Sequence, residues 1–159
     1  MKIISEDTLD QIVERFDDSD QAYVQAVEQM EAEQPVLLGY LFSDEFEAYT
    51  QDEKEYLLML ATIIFTAIRD TNAGALPAVT AQALSAAEEQ NWAKLEGINA
   101  KSFNERMDIF FENYVQEELL AFVEDALADD DEDPIVTKEA REPLFVTLKT
   151  IIDCLSLAS

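Results

Sequence analysis

The sequence contains no histidine and has little cysteine, glycine, proline or positive charge. Without histidine the chain cannot build a Ser-His-Asp or Cys-His catalytic site, a His-bearing zinc site, a haem site held by His or a Glu-x-x-His di-iron bundle. Its three glycines form no phosphate-binding loop. The single cysteine, Cys154, is expected in the core, because Ile151 and Leu155 flank it and nothing nearby would lower its pKa.

The scarcity of glycine and proline favours long helices over strands and turns. Hydrophobic residues make up 48% of the 159 residues, which argues against disorder and suits one domain, 1–159. A lone cysteine fits a reducing compartment. The first residues show no apolar signal-peptide region, so the expected location is the cytoplasm.

Acidic residues outnumber basic ones by 35 to 10, which gives a formal net charge of −25. Such a surface repels nucleic acid and anionic membranes and attracts basic partners and cations. Two other interpretations remain open: adaptation to salt, and solubility alone. The sequence also has no basic patch interleaved with aromatic residues that would indicate nucleic-acid binding.

The longest uncharged run extends from Tyr56 to Ile68 and contains thirteen residues. Thr50 and Glu53 precede it with the spacing of a capping box, which predicts a helix over about 51–71. Because the run is apolar on nearly every face, we expect other helices to surround it. A membrane span is the competing interpretation, but it needs about 20 apolar residues.

Apolar stripes at helical spacing cover most of the remaining sequence, and no stretch alternates at the period of a strand. The predicted fold is therefore all-α, a compact bundle of six or seven helices around the 51–71 helix. Other expected helices begin at Ser5, after Ser19 and at Pro35. Further helices are expected over about 80–94, from Ser102 to about 128, and around Pro143, which either starts or kinks the last one. Trp92 is an expected core contact.

Two segments of the chain resemble each other, which suggests a duplicated helical half. Residues 50–57 resemble residues 137–144, and residues 60–64 resemble residues 148–152. The alternative is that capped amphipathic helices look alike because they obey the same constraints.

Carboxylates are the only plentiful reactive groups. They occur in three pairs at helical spacing, Glu14 with Asp17, Glu28 with Glu31 and Glu105 with Asp108. These pairs resemble the acidic motifs of all-α Mg²⁺-dependent nucleotide pyrophosphatases. The resemblance covers four residues at a time, and it implies a hydrolase in which carboxylates hold Mg²⁺ or Mn²⁺.

A second acidic cluster, Asp129, Asp131 and Asp133, has the alternation of a calcium-binding loop. The pattern fails further on, because Pro134 stands at the sixth position and Ala140 at the twelfth, where an EF-hand needs Gly and Glu. We therefore assign no catalytic, cofactor-binding or metal-ligating residue from the sequence.

The leading hypothesis is a non-enzymatic interaction protein, such as an inhibitor, an immunity-type protein or an adaptor, that binds a basic protein. A special case is mimicry of nucleic-acid phosphates by spaced carboxylates. The carboxylate-based Mg/Mn-dependent hydrolase is the first alternative. A structural or oligomeric helical protein without a site is the second, and homo-oligomerisation stays open.

Overall fold

A computed structural model describes residues 2–43, 46–128 and 134–158. Within these ranges the chain forms eight α-helices and no strand, which confirms the all-α prediction with more helices than the six or seven expected. The helices are α1 (Glu6–Asp18), α2 (Asp20–Glu33), α3 (Pro35–Leu41), α4 (Gln51–Thr71), α5 (Ala81–Leu95), α6 (Phe103–Phe111), α7 (Glu117–Leu127) and α8 (Lys138–Ala158).

Hydroxyl side chains begin five of these helices. In each case the side-chain oxygen accepts a hydrogen bond from the backbone N–H three residues later, and each such cap is worth about 0.5–2 kcal/mol. The five capping residues are Ser5, Ser19, Thr50, Thr80 and Ser102. Local hydrogen bonding therefore sets where the chain enters most of its helices.

Two helices of 21 residues each, α4 and α8, share the centre of the molecule. Every residue from Leu60 to Ile68 is buried in α4, and so is every residue from Leu144 to Ile152 in α8. The prediction of a single central helix is thus incomplete, because α8 is buried as thoroughly as α4. Helices α1 and α2 pack on α4, while α5 packs extensively along α8 and α7 contacts α1 and α8.

The Glu53 carboxylate joins the first turns of the two central helices. Its Oε1 accepts from Thr50 N at 2.9 Å and completes the predicted capping box of α4. Its Oε2 accepts from Thr137 N at 2.9 Å and from Thr137 Oγ1 at 3.0 Å, directly before α8 begins. Because Ala140 stands where α8 would need its own capping acid, Glu53 serves both helices.

The long helix predicted over 102–128 is two helices, α6 and α7, separated by a short loop. Asn113 lies in this loop with a φ of 56°, in the left-handed region that interrupts a helix. Gln116 then turns its side chain away from α7, since its amide donates to Lys2 O at 2.8 Å and its Oε1 accepts from Ile4 N at 2.9 Å. These bonds tie the loop to the start of the chain.

Two further expectations about burial are wrong. Tyr56, Leu58 and Met59 are only partly buried, so neighbouring helices do not surround the first half of α4. On α5 the side chain turned inward is Asn91, whereas Trp92 is 38% exposed.

Neither α4 nor any other helix in the described ranges is long and apolar enough to cross a membrane.

Pro143 lies inside α8, which begins at Lys138, so this proline does not start the last helix. The duplication of helical halves stays a prediction.

The double role of Glu53 generates a test of stability against pH. Burial raises the pKa of this carboxyl group, but its hydrogen bonds with Thr50 and Thr137 outweigh burial and hold the pKa below the usual value. Its stabilising contribution is therefore complete above the unfolded-state pKa, about 4.3, and disappears as the pH falls through the folded-state pKa.

We expect Glu53→Gln to lower the free energy of unfolding by about 2 kcal/mol at neutral pH, because one amide oxygen cannot cap both helices. Denaturant unfolding near pH 7 and near pH 3 measures this, and the difference from the natural protein should shrink at the lower pH. Glu55→Gln, on an exposed position of the same helix, is the matched control. A deficit that stays constant down to low pH would contradict the double-cap account.

Candidate functional site

The three carboxylate pairs that resemble a pyrophosphatase motif do not converge. They lie on α1, α2 and α6, and all six side chains are exposed to solvent. No group of three or more His, Cys, Asp or Glu residues in the described ranges could hold a metal ion. The acidic run with Asp129, Asp131 and Asp133 lies outside the described residues. The arrangement needed for the Mg/Mn-dependent hydrolase is therefore missing from the part of the chain that the structure describes.

An apolar groove lies where α1, α4 and α7 meet, and we call it the α1–α4–α7 groove. Its volume is about 340 Å³, at the lower end of the range usual for binding pockets. The residues that line it are Val13, Phe16, Asp17, Tyr56, Met59, Leu60, Ile63, Phe122, Asp125 and Ala126. At this groove the first half of α4 is only partly covered by neighbouring helices.

The floor of the groove follows one face of α4. Tyr56, Met59, Leu60 and Ile63 recur at three- and four-residue intervals, so their side chains project from the same side of the helix. The Tyr56 hydroxyl donates to the carbonyl of Ala126 at 3.0 Å, which fixes the ring between α4 and the end of α7. The Tyr56 ring at the groove floor is thus held in place without a ligand.

Carboxylates stand at the edge of this apolar floor. Asp17 on α1 and Asp125 on α7 both line the groove and are exposed, and none of its lining residues is basic. Asp52 lies one helical turn before Tyr56 on the same face of α4 and is also exposed. The groove therefore combines an apolar floor with acidic residues from separate helices.

Carboxylates next to the groove repel one another. Burial raises the pKa of Glu124, and the negative charges of Asp108 and Asp125 raise it further. Three carboxylates, that of Asp108 on α6 and those of Glu124 and Asp125 on α7, thus share one region of the surface. A cation docked beside Asp125 would relieve this repulsion.

Three arginines act as cross-links between helices. Each of three arginines forms an ion pair with a carboxylate on a different helix, and none of the three lines the groove. The pairs are Arg15 with Asp70, Arg69 with Glu33 and Arg106 with Glu142.

A second apolar recess lies between the end of α3 and the first half of α4, with a volume of about 230 Å³. Phe42 at its edge is 69% exposed. Unlike the groove, this recess is lined by side chains of both signs, Glu47 and Lys54. It therefore offers no consistent charge for a partner.

The sequence analysis missed a buried ionic cluster on α8. Lys149 is 2% exposed, and its ammonium donates to Asp153 Oδ2 at 2.9 Å and to Asn91 Oδ1 at 2.8 Å. The ammonium also lies over the Tyr114 ring, 4.7 Å from its centre. The sequence signal was a lone lysine inside an apolar helix with an aspartate four residues later.

Asp153 is the hub of this cluster. Its carboxylate accepts from the Tyr114 hydroxyl at 2.5 Å, from Lys149 and from Asn91 Nδ2 at 3.1 Å. Asn91 in turn donates to Thr150 Oγ1 at 3.1 Å. Since these donors come from α5, α8 and the loop between α6 and α7, the cluster fixes three parts of the fold to one another.

The environment of the cluster shifts its titrating groups. Burial lowers the pKa of Lys149, although Asp153 acts in the opposite direction and Lys94 adds to the effect of burial. Burial and then the charge of Asp153 raise the pKa of Tyr114 far above its usual value. Burial also raises the pKa of Cys154 to about 11, which keeps this thiol protonated and unreactive at neutral pH.

Comparison with known proteins gives no relative from which a function could be transferred. The chain matches no protein-family model, no curated protein and no solved structure. The function must therefore be argued from the residues themselves.

The buried cluster generates a prediction about stability. Asp153→Ala should cost about 3–5 kcal/mol, because it leaves the Lys149 charge buried without its counter-ion. Lys149→Met should cost less, since Asp153 is partly exposed and keeps two donors. The double variant should be more stable than the sum of the single effects implies.

Denaturant unfolding of the two single variants and the double variant measures this coupling. Lys101→Met, an exposed lysine outside the cluster, is the matched control and should change stability by less than about 0.5 kcal/mol. Additive losses in the double variant would show that the ion pair is not coupled.

Proposed function

We propose that this chain is a non-enzymatic interaction protein, such as an inhibitor, an immunity-type protein or an adaptor, that binds a basic protein. The observation that carries the proposal is the α1–α4–α7 groove, an exposed apolar surface bordered by carboxylates in a chain of net charge −25. Apolar surface supplies affinity, whereas the surrounding charge selects the partner and speeds its approach.

The position of the carboxylates supports this function over solubility alone. Asp17 and Asp125 come from helices far apart in the sequence, yet they line the same apolar groove. An exposed apolar surface with a polar rim, such as that of half-buried Met59 and Phe122, is typical of interaction sites. Charge that serves solubility alone does not require such a surface. The same floor separates the proposal from mimicry of nucleic-acid phosphates, which would rely on the carboxylates without an apolar contact.

The location that accompanies this proposal is the cytoplasm. The single thiol, Cys154, is buried and keeps a raised pKa, so it needs no oxidising compartment and offers no disulfide partner on the surface.

An affinity pull-down tests the proposed function. The purified chain is used as bait in lysate of the source organism at low and at moderate salt, with mass-spectrometric identification of bound proteins. We expect a basic protein to bind at low salt and to bind less at moderate salt, because salt screens exposed charges.

Two baits of equal net charge provide the control. Asp17→Asn with Asp125→Asn should reduce capture of the partner. Glu89→Gln with Glu96→Gln should not, because Glu89 on α5 and Glu96 directly after α5 are exposed and lie outside the groove. Failure to capture any basic protein at low salt, or equal loss with both baits, would contradict the proposed function.

A further inference from the structure

We infer that the α1–α4–α7 groove binds a cationic amphipathic helix of the partner. The apolar side chains of this helix would lie on the groove floor, and its Lys or Arg side chains beside the rim carboxylates, those of Asp17, Asp52 and Asp125. This inference rests on the proposed function and names the segment of the partner that is recognised. The argument combines the spacing of the floor, its side-chain chemistry and the charge around it.

The spacing of the floor matches that of a helix. From Tyr56 to Ile63 the floor extends over eight residues of α4, whose seven steps of 1.5 Å make about 10 Å. A helix laid along this floor presents side chains at positions i, i+3, i+4 and i+7 over the same distance. Three or four apolar side chains of the partner can therefore contact the floor together.

The side chains of the floor suit a helix surface of varied shape. Met59 is partly buried, and its flexible thioether can adjust to different apolar neighbours. Phe122 faces it from α7 and adds a half-buried aromatic surface, while the Tyr56 ring is already fixed by its bond to Ala126. One adaptable and two rigid apolar contacts fit the anchoring side chains of a docked helix.

The charge around the groove selects a cationic occupant. Asp17 and Asp125 line the groove, and Asp52 lies one turn before Tyr56 on α4, with no basic side chain among the lining residues. A second copy of this chain would bring another net charge of −25, and an anionic lipid surface would be repelled in the same way. The occupant consistent with both the floor and the rim is an apolar helix face flanked by Lys or Arg.

Labelled model peptides test this inference with the intact chain. The first is a helical peptide of about 14 residues, or four turns, with leucines on one face and lysines elsewhere. The second has the same composition in a scrambled order that has no apolar face. The third keeps the leucine face but replaces the lysines with glutamines. Fluorescence anisotropy at low salt gives the affinity of each.

We expect the amphipathic cationic peptide to bind about tenfold or more tightly than the scrambled one, because only the first can bury its leucines on the floor. The peptide without lysines should also bind more weakly, and its affinity should depend little on salt. In Met59→Gln and Phe122→Gln the preference for the amphipathic over the scrambled peptide should disappear. Val115→Gln, an exposed apolar residue outside the groove, should keep it.

Surface variants keep the test decisive if a floor variant fails to fold. Asp17→Asn with Asp125→Asn changes only exposed side chains and should weaken the cationic peptide with a shallower salt dependence. Equal affinity for the amphipathic and scrambled peptides would overturn the helix-binding inference and leave the proposed function standing. No binding of either cationic peptide at low salt would overturn both.

Discussion

A single carboxylate fixes where the two central helices begin. Glu53 is 2% exposed, and it accepts hydrogen bonds from the backbone before α4 and from the backbone before α8. Because Glu53 binds the backbone directly before each helix, the first turns of α4 and α8 lie next to each other. Other helices pack on this pair: α1 and α2 contact α4, and α5 contacts α8.

Neighbouring helices do not pack equally well on all parts of α4 and α8. Around α8 the packing is complete enough to bury a lysine, and the Lys149 ammonium finds Asp153 and Asn91 as partners there. Around the first half of α4 the packing stops short, since α1 and α7 approach without closing over Met59. The same pair of helices therefore produces both the rigid centre of the molecule and the open groove that we propose as its binding surface.

Local signals made much of the fold predictable from the sequence. The capping box of α4, the hydroxyl caps and the apolar stripes depend on residues within one or two turns of each other, and the predicted 51–71 helix coincides with α4. Next to the left-handed turn at Asn113, hydrogen bonds of Gln116 with Lys2 and Ile4, more than a hundred residues away, hold the break between α6 and α7. No local pattern contains that information.

The candidate site was harder to predict for a similar reason. In the sequence, Tyr56 and Met59 belong to an unbroken apolar run, and nothing in that run shows which end neighbouring helices leave open. The acidic pairs suggested a metal site that the described residues do not form. Helical spacing places Glu14 and Asp17 near each other, but it does not bring them close to the acidic pairs on other helices. Asp17 instead borders the groove together with residues of α7. The sequence analysis predicted α6 and α7 as one helix, so it could not place α7 beside α1.

The distribution of methionines allows a direct measurement of the central claim, that a cationic partner binds in the groove. Met59 lies on the groove floor, whereas Met30 and Met107 are fully buried elsewhere. With carbon-13 in the methionine methyl groups, NMR follows each of these sites as a cationic amphipathic peptide is added. The account predicts that the Met59 resonance shifts to saturation while those of Met30 and Met107 keep their positions. A peptide that binds to saturation and leaves the Met59 resonance unchanged would contradict it.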